Sequence, residues 1–339
     1  MSAPRLHYTA KVKNPAAFAA VLALVSVGTA PLYAAEPTRP GSGGMIVNES
    51  VSTEQLRQHV QVLAGDIGER NIWRPQALKR AADYIQRVWT EQGYRVHTQE
   101  YDVQGVTSAN LEVAIPGGDL ASQILLLGAH YDSVQGSPGA NDNATGVAAL
   151  LELGHCLAGR KPRRTLKLVA FVNEEPPLFW TRDMGSDVYA RAARARDDDI
   201  RAMISIETVG YYRDAPGSQR YPPFLGWFYP DRADFIGFVS NLGSRALLKR
   251  AVAAFRAASD FPLESLAAPA FVPGVGWSDQ LSFWSAGYPG IMVTDTALYR
   301  DPHYHTAQDT PDKIDYVRFT AVTRGLCGGV AALADADEL

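Results

Sequence analysis

Apolar residues recur along this chain in short strand-length runs, separated by stretches with the 3.6-residue spacing of amphipathic helices. The clearest run is Ile124-Leu125-Leu126-Leu127. Similar runs predict strands near 124–129, 167–173, 202–207 and 290–294. Helices are predicted between and after them, near 144–158, 184–195, 243–257 and 316–334. Upstream, Ser52 with Gln55 resembles a capping box opening a helix through Leu63. A second helix over Ala77–Glu91 should end at Gly93. Tyr94–Tyr101 and Ala109–Ile115 alternate like strands. This order of elements predicts an α/β fold, a three-layer sandwich with a largely parallel central sheet. Gly217–Asp234, rich in Pro, Tyr and Phe, reads as a long loop over the sheet.

The N-terminus has a different character. Lys11 and Lys13 precede the apolar stretch Ala16–Val27, and Ala34-Ala35 offers a cleavage point. Leu32 or Tyr33 stands three residues before the cut, where a small residue is preferred. The apolar run is shorter than the ~20 residues a spanning helix needs. Residues 1–35 are therefore expected to be an export signal, with an uncleaved anchor as the alternative. Either way the remainder lies outside the cytoplasm, in the periplasm or secreted. Residues 36–50 read as a linker and 51–339 as a single domain. No later segment is apolar enough to cross a bilayer, so no stable membrane association is expected once the signal is removed.

Composition narrows the class. The chain has 339 residues, of which 46% are hydrophobic, enough for a large core. Without Arg5, Lys11 and Lys13, 29 basic residues face 36 acidic ones, a net charge of −7. That balance argues against nucleic acid as a partner. Cys156 and Cys327 both fall in predicted helices. Export permits a bridge between them, but two buried free thiols are expected, because their spacing implies no proximity. They cannot form a zinc-binding cysteine cluster.

Candidate chemistry collects where the predicted strands end. His130 and Asp132 follow the first run, with Asp142 in the same loop. Glu174 and Glu175 follow the second, and Glu207 ends the third. His303 and His305 lie beyond the fourth. Any one of these alone is an ordinary surface or loop residue. Together they stand at the sheet edge where open α/β sheets hold ligands. Histidine and carboxylates are the donors of hydrolytic zinc sites. No Gly-x-Ser-x-Gly elbow is present, which argues against a serine hydrolase.

Four segments carry a family resemblance: Gly128-Ala-His-Tyr-Asp-Ser, Gly139-Ala-Asn-Asp-Asn-Ala-Thr-Gly, Asn173-Glu-Glu and Tyr304-His-Thr-Ala-Gln-Asp-Thr-Pro-Asp-Lys-Ile. In order and spacing they resemble the M28 family of zinc peptidases, the group of secreted bacterial aminopeptidases, from about Glu54 to the C-terminus. The resemblance implies a single α/β catalytic domain with a mixed, mostly parallel sheet, two zinc ions and a peptide substrate. It implies that His130 and Glu207 hold one zinc, that Glu175 and His305 hold the other, and that Asp142 bridges them. Glu174 matches the general base. Asp132 matches the acid that orients His130. Only family position selects His305 over His303.

Two departures stand out. Many members have Asp where this chain has Glu207, and others carry Ser-Asp-His where it reads Trp277-Ser278-Asp279-Gln280. Asp279 then either orients a site residue or caps a helix. Phe179, Trp180, Tyr211, Tyr212 and Trp277 are expected to line an apolar recess for a substrate side chain. The basic run Arg160–Arg164 is explained by the preceding helix end. The leading expectation is an exported dizinc aminopeptidase. The alternatives are a single-zinc glutaminyl cyclase, a carboxypeptidase on acidic dipeptides, and a receptor-type ectodomain without metal.

Overall fold

The computed structural model describes residues 51–339. The export-signal and linker expectations lie outside the described residues. The first helix, α1 (Thr53–Val60), opens at Ser52, whose hydroxyl accepts from the Gln55 amide. It runs on as a wider π-turn through Ile67 rather than as α-helix to Leu63. Helix α2 covers Pro75–Glu91 and is followed by Gly93 at φ +89°.

The strands are β1 (His97–Val103), β2 (Val106–Ile115), β3 (Leu120–His130), β4 (Arg164–Phe171), β5 (Asp199–Glu207), β6 (Ile236–Ser240), β7 (Leu263–Ala267) and β8 (Gly290–Thr294). They form one sheet in the order β1-β2-β4-β3-β5-β8-β6-β7. The centre, β4-β3-β5-β8, is parallel. The pairs β1–β2, β2–β4 and β6–β8 are antiparallel, so the sheet is mixed. Strands β6 and β7 were not expected. Each has only five residues, and Glu264 and Ser265 break the apolar signal of β7.

Alternate residues of the central strands feed two cores, as period 2 requires. Leu125 and Leu127 enter a large core with α1, α2, α3 (Gly146–Leu157), α5 (Arg245–Ala258) and α8 (Tyr316–Asp335). Leu126 and Met203 enter a smaller one with α4 (Gly185–Ala195) and α6 (Gln280–Ser285). The result is the three-layer α/β sandwich. A short α7 (Ala297–Arg300) follows β8.

Free thiols were expected, and the structure contradicts this. Cys156 on α3 and Cys327 on α8 form a disulfide, with α carbons 6.6 Å apart. The two helices pack on the same face of the sheet, a proximity that their separation of 171 residues conceals. The basic run is also put to another use. Arg160 pairs with Asp335, the last residue of α8, and Arg163 with Asp337 just beyond it, while buried Arg164 donates to the carbonyls of Ala336 and Asp337. These cations hold the C-terminal tail rather than a helix dipole.

Candidate metal centre

Four stretches of chain converge at the carboxyl ends of the parallel strands. His130 is the last residue of β3, and Asp132 lies two residues on. Asp142 sits in the tight turn Ala140–Thr145 before α3. Gly139 makes that turn possible at φ +63°, where a Cβ would fall 2.4 Å from the Asp142 carbonyl oxygen. Glu174 and Glu175 follow β4, and Glu207 closes β5. His305 lies on the loop after α7. Asn173, Thr208 and His305 all hold left-handed backbone, at φ +61°, +46° and +57°. Such conformations cost energy and recur at functional sites.

Two groups of donors form. His130, Asp142 and Glu207 bring one ligand atom each within 4.8 Å of one another, and so do Asp142, Glu175 and His305. His130 Nε2 lies 3.3 Å from Asp142 Oδ1 and 3.2 Å from Glu207 Oε2. His305 Nε2 lies 2.9 Å from Asp142 Oδ2 and 3.3 Å from Glu175 Oε2. Asp142 thus turns one oxygen to each group. His303 belongs to neither; its Nδ1 lies 3.0 Å from Asp301.

The donors suit a metal of zinc type. Both ring nitrogens of buried His130 lack a hydrogen-bond partner in acceptable geometry, which is costly unless something else binds there. Asp132 accepts from the amides of Glu174 and Glu175, each at 3.1 Å, and places Oδ1 3.5 Å from His130 Nδ1. It therefore fixes the end of β4 and faces the nitrogen of His130 that points away from the other donors. Among the described residues the Glu174 carboxylate has no hydrogen-bond partner, and its Oε2 stands 3.8 Å from His130 Nε2.

Charge in the centre is unbalanced. Burial drives Glu174 well above the usual carboxylate range, with Glu207 and Glu175 adding to the effect against His130. Burial likewise raises Glu207, and lifts Glu175 to about 7. Burial disfavours charge on His305, yet Asp142 and Glu175 outweigh it and bring the imidazole to about 10. Burial acts the same way on His130, where Glu207 and Glu174 prevail and raise it. Asp142 would be raised by burial, but His130 and His305 pull it below the ordinary carboxylate range. Protons on the two imidazoles balance acids that divalent cations would balance better.

A family model, peptidase family M28, matches residues 110–329. The chain belongs to peptidase family M28. It is a zinc-dependent hydrolase, and peptides are its class of substrate. The M28 chain is 37% identical over 284 residues to the Escherichia coli protein YfbL, a match covering 81% of this chain and 86% of that one. Its fold resembles BSAP, a zinc aminopeptidase from Bacillus subtilis, at a TM-score of 0.68 and 15% identity over 85% and 96% of the two chains. It also resembles a glutaminyl cyclase from Fimbriiglobus ruber, at 0.60 and 18% identity over 83% and 95%.

Several residues that support the M28 centre were not singled out from the sequence. Arg70 is buried and donates to the carbonyls of Tyr131, Pro138 and Gly139 at 2.6, 2.5 and 2.9 Å, bracing both ends of the loop that carries Asp132. Burial lowers its pKa to about 10. Asp309 accepts from the amides of Asn141 and Asp142 at 2.7 and 3.1 Å. It stands in the Tyr304–Ile314 segment, the one signal that pointed to it. Arg70 carries no such signal.

Asp279 follows the helix-cap expectation in position only. It occupies the N-cap position of α6 without a capping bond, and both buried carboxylate oxygens lack a partner. Burial raises it to about 7. Its neighbour Ser278 makes the contact instead, donating to Glu207 Oε2 at 2.7 Å. The aromatic recess is also differently built. Trp277 lines it, but Tyr211 and Tyr212 are buried elsewhere, while Phe179 and Trp180 stack on each other away from it. Its walls come from β6, β7 and β8 and from the 217–234 loop, including Tyr221, Leu225 and Tyr229. The unexpected strands explain the difference.

Proposed function

We propose that this M28 hydrolase is a dizinc aminopeptidase that removes the N-terminal residue of a peptide. The observation that carries the reading is the double use of Asp142, with one oxygen toward His130 and Glu207 and the other toward Glu175 and His305. His130 and Glu207 would hold one zinc, Glu175 and His305 the second, and Asp142 both. Zinc bound there supplies Lewis acidity toward a peptide carbonyl and toward water.

The chain's own residues do the rest. Glu174 takes the proton of the attacking water and delivers it to the leaving amine. Its carboxylate is free of hydrogen bonds to the described residues, and burial makes it a stronger base than an exposed glutamate. Asp132 holds the Glu174 and Glu175 amides and orients His130. The acids around the centre receive the substrate's α-amino group. A single-zinc cyclase has no need of the second donor group, and that group is complete here.

In this reading residues 51–339 are the catalytic domain, residues 1–35 an export signal or an uncleaved anchor, and residues 36–50 a linker. The disulfide supports an oxidising compartment. Among the described residues no helix is long and apolar enough to cross a membrane.

The test is a pair of peptides differing only at the N-terminus. A free amine should allow cleavage and N-acetylation should abolish it, while amidation of the C-terminus should not matter. Equal rates on free and acetylated peptides would overturn the aminopeptidase reading. Loss on C-terminal blocking alone would point to a carboxypeptidase.

A further inference from the structure

The recess beside Glu207 holds one acid that the metal centre does not use. Strand register places it there. Glu207 on β5 pairs with Thr294 on β8, Thr294 with Gly237 on β6, and Gly237 with Glu264 on β7. Residues in register project to the same face of a sheet. Three strand spacings put the α carbons of Glu207 and Glu264 roughly 14 Å apart. Only a threonine and a glycine stand between them in the row, and the small Thr296 side chain covers the glycine.

One recess, open to solvent, is lined by both glutamates. Val239, Leu266 and Met292 line it on the same sheet face, and the stacked rings of Tyr221 and Tyr229, 5.6 Å apart, form a wall. The tyrosine hydroxyls are already engaged with the carbonyls of Pro230 and Ser265. Glu264 is half-buried and, among the described residues, has no hydrogen bond to its carboxylate and no ion pair; Arg256 acts on it only at longer range. Partial burial of an unpaired carboxylate is unfavourable, and a bound cation would relieve it.

We propose that Glu264 is a specificity-determining residue that receives the ammonium or guanidinium of a lysine or arginine at the substrate's first position. Such side chains have an aliphatic stem that suits the apolar lining. Their charged head needs a carboxylate or a ring face at the far end, and Glu264 and the tyrosine pair supply both. An acidic first residue is repelled by the same group. The inference rests on the aminopeptidase reading, because it takes the α-amino group to lie at the metal centre.

The test compares kcat/KM for lysyl, arginyl, norleucyl, leucyl and glutamyl amides on the zinc-loaded enzyme. Norleucine matches the lysine stem without its charge. Wild type should favour lysine over norleucine, and Glu264→Gln should lower that ratio by about 10- to 100-fold, as expected for a partly desolvated charge pair. Most of the loss should appear in KM. Glu264→Lys should raise the glutamyl-to-lysyl ratio, which guards against a general folding defect. Ratios indifferent to both substitutions would overturn the proposal and leave the aminopeptidase reading standing. Absence of hydrolysis of every amide would overturn both.

Discussion

Replacing Asp132 with asparagine separates the structural from the metal-orienting role of that residue. In the wild type its two oxygens each accept one buried amide at 3.1 Å, from Glu174 and Glu175. A hydrogen bond to a charged group contributes about 1.5–3 kcal/mol. Asparagine has one acceptor oxygen, so one amide keeps a weaker, neutral bond and the other faces an NH2 group. The direct loss is roughly 2–4 kcal/mol. Two electrostatic effects oppose each other. Removing one anion relieves repulsion among the acids, but Asp132 is also a main compensating charge for buried Arg70. These should roughly cancel, leaving metal-free Asp132→Asn roughly 2–4 kcal/mol less stable in urea denaturation. Zinc binding should weaken a further 10- to 100-fold, because His130 loses the acid that faces its Nδ1. Competition with a chromogenic chelator measures that arm. Unchanged urea midpoint and unchanged zinc affinity together would refute the account of Asp132.

Other outcomes follow from the same geometry. Glu174→Gln should retain zinc and lose roughly two to four orders of magnitude in kcat, the usual worth of a general base; loss of zinc by this variant but not by Glu175→Gln would reverse the two roles. The Cys156–Cys327 bridge closes a loop of 171 residues, and chain entropy for such a loop gives up to about 5 kcal/mol. Cys156→Ala with Cys327→Ala should therefore lower the thermal midpoint by several degrees, and an unchanged midpoint would mean that the bridge contributes nothing.

The parts of the fold that were readable in advance are those set by local pattern. Strand β3 is announced by four consecutive apolar residues, and its alternation feeds both cores. His130, Asp142, Glu175, Glu207 and His305 stand just past such runs or in a distinctive motif, and parallel strands carry them to one edge. What escaped notice depends on tertiary contact. Strands β6 and β7 are short and sit at the sheet margin, so they carry little periodicity. Of the aromatics expected in the recess built on them only Trp277 lines it, and Glu264 carries no signal as part of it. The Cys156–Cys327 bridge needs two distant helices to dock. Arg70 is a lone arginine until folding surrounds it with the carbonyls of the Asp132 loop.

The central claim is that Asp142 serves two zinc ions at once. Its most direct measurement is a zinc titration of the metal-free full-length protein, following peptide hydrolysis and bound zinc together. The account predicts that binding saturates at two zinc ions per chain, and that Asp142→Ala weakens both sites. Saturation at one ion, with full activity at that point, would contradict it.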